Sequence, residues 1–301
     1  MVVQIARFIF IGREKHAILV EKHPQCFEHH KENFWSFLLL SMAFVGIAKE
    51  VITRLFYALI ERSLSDKHIK ELKNDSTEKH EFVYKLSNHV FKAIYYSVVT
   101  GLFIYFLRGC RLLHWYFGGE LDTFERIELF KNYPCIKVPD RLVDLFLFKL
   151  GYYIYESIYS CLFHRKRHDF TENLTHHICT LGLVYASYSF NWFDYGSLVF
   201  FLTGFTDIFV SLMRITYFWE NFALKITSFI LMLGSFIIFR DIYQGVIQWE
   251  IYKHVHVEDH PELLDIKELT SIMQFLLSVL MILNYFWTYL MVKGLWQRMS
   301  G

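Results

Sequence analysis

The sequence predicts an all-α, polytopic membrane bundle of about seven transmembrane helices, and three observations carry that expectation. Apolar residues make up 54% of the 301 residues, above the roughly 45–50% of soluble domains. They collect in blocks of about 20, the length a helix needs to cross a bilayer. Proline is scarce at 4 and glycine modest at 14, so long uninterrupted helices are expected.

The first expected span runs from Phe34 to about residue 60. It carries Lys49, Glu50 and Arg54, so its C-terminal half must face protein or the membrane interface. The second runs from Asn88 to Leu107. The third, Leu142 to Phe163, contains Asp144, Lys149 and Glu156. The fourth, Leu174 to Phe190, contains His176 and His177. The fifth, Ser197 to Phe218, contains Asp207 and Arg214. The sixth, Ile226 to Phe239, is closed by Arg240 and Asp241, and the seventh runs from Leu269 to Val292. Residues 61–87, 108–141 and 248–268 read as polar connections. The other loops are short and predict antiparallel hairpins. Trp115, Tyr116, Tyr133, Trp192, Trp219 and Trp249 fall near span ends, where amphipathic rings favour the headgroup region.

Two domains follow from this order: residues 1–87, an N-terminal segment with the first membrane helix and a charged linker, and residues 88–301, a six-helix membrane domain. Net charge is +1, from 31 basic and 30 acidic residues. No basic stripe stands apart from acidic neighbours, so no nucleic-acid partner is expected. The basic loop residues divide almost evenly between the two sides, and the positive-inside rule leaves orientation open. Cys26, Cys110, Cys135, Cys161 and Cys179 form no CxxC pair, so neither a disulfide framework nor a zinc site is expected. The run HVHVEDH (254–260) reads as a solvated loop rather than a metal site. The first 16 residues lack the apolar core and cleavage site of a secretory signal.

Ionisable residues inside the apolar blocks are the candidates for function. A carboxylate at a helix centre costs roughly 2.5–3.5 kcal/mol on insertion scales unless something pairs with it. Asp207 must therefore face the bundle interior, and His176 or His177 on the preceding span is the simplest partner. Such a contact would fix an imidazole tautomer, as a general base requires. Thr203, Asp207 and Ser211 recur at i, i+4 and i+8 on one helical face, with Gly204 beside them. This small, polar stripe would line a lipid-sized cavity or let another helix approach closely. Adjacent histidines point about 100° apart, so at most one addresses a given partner closely, and on spacing alone structural pairing across helices is the better explanation of them.

Residues Arg165 to Phe218 resemble the signature region of the ceramide synthase branch of the TLC-domain family. RKRHDFTENLTHH (165–177) matches a basic approach, Asp-Phe, a glutamate and a His-His pair. Thr180, Ser187, Tyr188, Asn191 and Gly196 follow without gaps at family positions. GYYIYESIY (151–159), NYP (132–134) and LNYFWTYLM (283–291) resemble flanking family segments. The resemblance implies a multi-helix membrane bundle around a lipid-accessible cavity. It also implies transfer of a fatty acyl group from acyl-CoA to a sphingoid base, and residence in the endoplasmic reticulum. His176 and His177 would supply the nucleophile or base, oriented by acidic residues on the next helix; no cofactor is implied, and acyl-CoA would be the co-substrate.

The chain then departs from the pattern. The family places a His-Asp pair, an Asp three residues on and a Glu four residues after that. Here the pair is Thr203 and Gly204, the second Asp survives as Asp207, and the Glu is Ser211. Asp194 stands where the family has a basic residue. Losing one orienting aspartate in a comparable histidine mechanism costs about 10⁴ in kcat. Three functions follow for comparison. The first is a degenerate, non-catalytic protein that binds membrane lipids through Thr203, Gly204, Ser211 and Glu156, or serves as a subunit of a larger membrane assembly, in the endoplasmic reticulum or a mitochondrial membrane. The second is an active sphingoid-base N-acyltransferase using His176, His177 and Asp207. The third is a transporter, with Lys149, Glu156 and Arg214 marking its path.

Overall fold

The computed structural model describes residues 12, 14–27, 33–63, 76–108, 113, 115–117, 119, 133–135, 140–163, 165, 169–219, 221–256 and 267–300. Among them every regular element is helical: α1 (Phe34–Ser63), α2 (Ser76–Phe106), α3 (Asp140–Phe163), α4 (Phe170–Ser189), α5 (Phe193–Thr216), α6 (Phe222–Ser235), α7 (Gln244–His256) and α8 (Lys267–Ser300), with short helical pieces between. A π segment, Phe236–Tyr243, joins α6 to α7 without a break. Five stretches are long and apolar enough to cross a membrane: Phe34–Arg62, Lys79–Phe106, Tyr195–Thr216, Phe222–Lys253 and Lys267–Gln297. The protein is an integral membrane helical bundle. The more polar α3 and α4 pack among these spans.

The helices close a ring. α2 packs on α5, α5 on α6 and the π segment, the π segment and α7 on α8, α8 on α4, α4 on α3, and α3 again on α2. α1 lies outside the ring against α2 and α3. Small residues bring it in: a Cβ on Gly151 would stand 2.8 Å from Ser41 Cβ, and one on Gly46 would stand 3.1 Å from the Tyr155 ring. Its Lys49 is 3% exposed and reaches inward to Glu156, while Glu50 and Arg54 pair on the outer side. The far face of α1 presents Leu39, Leu40, Phe44, Ile47 and Val51 outward, as a lipid-facing surface requires.

Four expectations need correction. The sixth span does not stop at Phe239. Arg240 and Asp241 are buried within a helix that continues to His256, because each finds a partner on a neighbouring helix. The polar connections are shorter than expected: α2 already starts at Ser76, and α7 takes up residues 248–256, so His254 and His256 belong to a helix. Residues 257–260 of the histidine-rich run lie outside the described residues. Cys26 and Cys135 form a disulfide across 109 residues; a pairing between distant segments leaves no local spacing to read. Finally, Tyr133 and Trp192 are buried, at 5% and 3% exposure, and their rings meet edge to face, whereas Tyr116, Trp219 and Trp249 are exposed at span ends.

Asn191 organises the disulfide end. It occupies the tight α4–α5 turn at φ 62°, a left-handed conformation that asparagine tolerates better than most residues. Its fully buried amide Nδ2 donates to the carbonyls of Cys26 at 2.6 Å and Pro134 at 2.9 Å. The N-terminal segment, the turn at residues 133–135 and the α4–α5 hairpin are thereby held at one end of the bundle.

Candidate functional site

The ring encloses a cavity of about 410 Å³ in the half of the bundle away from Asn191. All parts of the ring but α7 contribute to its wall: Lys92 and Tyr96 from α2, Glu156 from α3, His176 and His177 from α4, Asp207 and Ser211 from α5, Met232 from α6, Arg240 from the π segment and Trp287 from α8. It reaches the end of the bundle at Asp169, which precedes α4, and at Arg214, which is exposed. Beyond His176 and Tyr153 it narrows to a pocket of about 30 Å³ between Thr180, Leu183, Tyr195, Val199, Thr203 and Leu280. That extension has room for about one water or one small apolar group.

Asp207 does not meet an imidazole. Its Oδ1 accepts a charge-assisted hydrogen bond from Arg240 Nη2 at 2.5 Å. The same guanidinium donates through Nε to Thr206 Oγ1 at 2.6 Å and through Nη2 to Thr203 O at 3.2 Å. Arg240 is long, permanently charged and only 6% exposed, so it requires a carboxylate partner more stringently than a neutral histidine does. It competes successfully for the one carboxylate on that face of α5. The π geometry helps, since an i→i+5 turn changes the register within one helix. Arg240 meets α5, while the adjacent Asp241 accepts from Thr288 Oγ1 on α8 at 2.7 Å. Sequence reading took Arg240 as the end of a span. The apolar residues that resume at Ile242, Val246 and Ile247 were the available signal that the helix runs on.

The twin histidines line the cavity without engaging an acid. The His176 ring packs edge-on against Trp287 at 5.4 Å and against His177 at 5.8 Å. Among the described residues neither Nδ1 meets a hydrogen-bond partner. Glu156 is also taken: Lys92 Nζ lies 2.8 Å from Oε2 and Lys49 Nζ 3.0 Å from Oε1, so two ammonium groups share one carboxylate. The Lys49 ammonium lies over the Tyr159 ring, 3.6 Å from its centroid. Thr203, Asp207 and Ser211 all border cavity space. Gly204 does not. It faces α2 and α3, where a Cβ would stand 2.5 Å from Thr100 Oγ1 and 3.0 Å from Lys149 Nζ. Lys149 is fully buried there, donates to Phe200 O at 2.7 Å and lies near the rings of Phe103 and Phe200. It borders neither of these two cavities.

Chemically the cavity offers ion pairs at mid-depth, two imidazoles on one wall and apolar or aromatic side chains around them. That suits an amphipathic molecule with a polar head at the Arg240–Asp207 level. Among the described residues it holds no His–Asp hydrogen bond of the kind that orients a histidine as a base.

The family model described as the TLC domain matches residues 85–293. Ceramide synthase hyl-2 of Caenorhabditis elegans is 24% identical over 276 residues, covering 88% of this chain and 79% of that protein. Ceramide synthase 1 LOH3 of Arabidopsis thaliana is 26% identical over 249 residues, covering 80% of this chain and 77% of its own length. Ceramide synthase LOH1 of the same plant is 27% identical over 270 residues, covering 86% and 80%. The match takes in α3 to α7 whole and most of α2 and α8, the helices that form the ring, and spans every cavity residue named above. This chain therefore belongs to the TLC-domain family, as a membrane protein related to ceramide synthases.

Proposed function

We propose that the chain holds a membrane lipid in the ring cavity of a catalytically degenerate TLC domain, in the endoplasmic reticulum membrane. One observation carries this reading: among the described residues, Arg240 binds Asp207, the one carboxylate that α5 presents to the cavity, and neither His176 Nδ1 nor His177 Nδ1 meets an acid to orient it. The cavity itself persists, at about 410 Å³, within the range of about 300–1,000 Å³ typical of ligand sites. The replacements on α5 are small and leave it open at Thr203 and Ser211. The names of the three relatives given above, each a ceramide synthase, support a sphingolipid or a related amphipathic lipid as the occupant and the endoplasmic reticulum as the location.

The alternative is an N-acyltransferase with a divergent centre; both imidazoles bordering the cavity favour it. One experiment separates the two. The protein is purified in mild detergent, its lipids are extracted for mass spectrometry, and it is reconstituted with acyl-CoA and a sphingoid base. The degenerate reading expects a co-purifying lipid and no N-acylated product above the protein-free control. Robust product formation that disappears in His176→Ala would overturn it.

A further inference from the structure

The charges on the ring cavity do not cancel. Among the described residues, Lys49, Lys92, Arg214 and Arg240 border it or reach its wall, against the acids Glu156, Asp169 and Asp207. Arg240 and Asp207 satisfy each other. Asp169 and Arg214 stand where the cavity reaches the surface. The surplus falls on the remaining group. Glu156 Oε1 accepts from Lys49 Nζ at 3.0 Å and Oε2 from Lys92 Nζ at 2.8 Å, with the carboxylate side chain 11% exposed. Among the described residues no other carboxylate lies within ion-pair distance of either lysine. Both carboxylate oxygens are used, by two ammonium groups, and one positive charge is left over.

The two lysines are not equivalent. Lys49 comes from α1, its side chain is 4% exposed, and the rings of Tyr155 and Tyr159 lie 5.1 and 3.6 Å from its ammonium, so it is sealed behind the wall. Lys92 borders the cavity, and its side chain is 23% exposed. The surplus charge is therefore presented to the cavity at Lys92, whose ammonium has three donors and spends one on Glu156. His177 borders the same space, within electrostatic reach of Lys92, Glu156 and Asp207, and its Nδ1 has no hydrogen-bond partner among the described residues. An uncompensated charge at membrane depth is costly, and an anion would remove that cost through a charge-assisted hydrogen bond. A second ammonium there would add a like charge. From this imbalance, and resting on the reading that the cavity holds a lipid, we propose that the head group of that lipid is anionic, a phosphate or a carboxylate, with Lys92 as its charged contact and His177 beside it. A sphingoid base, whose head is an ammonium, is the wrong sign for this cavity, and a neutral ceramide leaves the surplus unanswered.

Direct binding of radiolabelled lipids to the purified full-length protein in mild non-ionic detergent tests the sign of the head. Four probes are compared: lysophosphatidic acid, oleate, sphingosine and a ceramide. Lysophosphatidic acid or oleate should bind at least about tenfold more tightly than sphingosine and ceramide, and the tighter of the two says whether phosphate or carboxylate is preferred. Lys92→Met leaves the Lys49–Glu156 pair in place and should weaken the anionic probes by about tenfold to a hundredfold while ceramide is unaffected. Lys92→Arg keeps the charge and should restore most of the binding. Inorganic phosphate at matched concentration should not compete; competition would make this a site for a free ion and overturn the proposal. So would sphingosine or ceramide binding as tightly as both anionic lipids, or an anionic preference that survives Lys92→Met. Those results leave a lipid in the cavity and reject only the sign of its head. If none of the four probes binds, the lipid reading itself fails and this inference falls with it.

Discussion

Breaking the Arg240–Asp207 pair tests the central geometry most directly. Arg240→Met strands the Asp207 carboxylate, whose side chain is 21% exposed to the cavity, and also removes the donors to Thr206 Oγ1 and Thr203 O. Removing one partner of a buried pair costs about 3–5 kcal/mol; partial hydration of Asp207 puts this case near the lower end, at about 3 kcal/mol. At roughly 2–4 °C per kcal/mol for chains of comparable size, the melting temperature falls by about 6–12 °C. Asp207→Leu leaves a guanidinium only 7% exposed without its counter-charge, although both threonine contacts survive, and the loss is of similar size. The double variant has no stranded charge and recovers most of the loss, as replaced buried pairs do. Thermal unfolding in detergent micelles, followed by tryptophan fluorescence, reads all three. If the two single losses simply add in the double variant, Arg240 and Asp207 are not paired and the argument for unoriented histidines goes with them.

Four further outcomes are expected. Glu156→Ala leaves Lys49, 3% exposed, with no carboxylate and should cost about 3–5 kcal/mol, whereas Lys92→Met leaves Glu156 one ammonium and costs distinctly less; thermal melts of the two variants make the comparison. Gly204→Ala pushes a methyl against Thr100 Oγ1 and Lys149 Nζ, an overpacking loss of about 1–3 kcal/mol, and Thr100→Ala in the same chain should restore most of it in the same melt. Asn191→Gly keeps the left-handed turn but loses two donated bonds, while Asn191→Ala adds backbone strain, so the alanine variant should be the less stable by about 1 kcal/mol in denaturant titration. Reduction of the Cys26–Cys135 bond should lower stability by about 2–4 kcal/mol, read as a melting shift with and without reductant; Cys26→Ser should then show no response to reductant.

The transmembrane blocks could be read before any coordinates because hydropathy is a local property and the bilayer fixes the length of each block. The inward direction of Asp207 followed from the cost of exposing a carboxylate to lipid. Its partner did not, because that depends on which helices are neighbours. Chain order suggested the preceding span with its histidines; the ring sets the π segment beside α5 and delivers Arg240 instead. Gly204 misled for a related reason. It lies beside the polar stripe in sequence, yet on the helix it turns toward Thr100 and Lys149, and helical phase alone cannot say which face meets a cavity and which meets a neighbour. The Cys26–Cys135 bond was invisible to spacing for the same cause, since its two ends meet only through a third segment at Asn191.

The order in which the ring closes has a consequence for biosynthesis. α2 to α7 leave an open seam between α4 and the π segment, and α8 is the stave that fills it, touching both. Until Lys267–Ser300 has left the ribosome, His176 has no Trp287 against it and Asp241 no Thr288. A nascent chain thus leaves its interior open from the side until the last helix closes the ring.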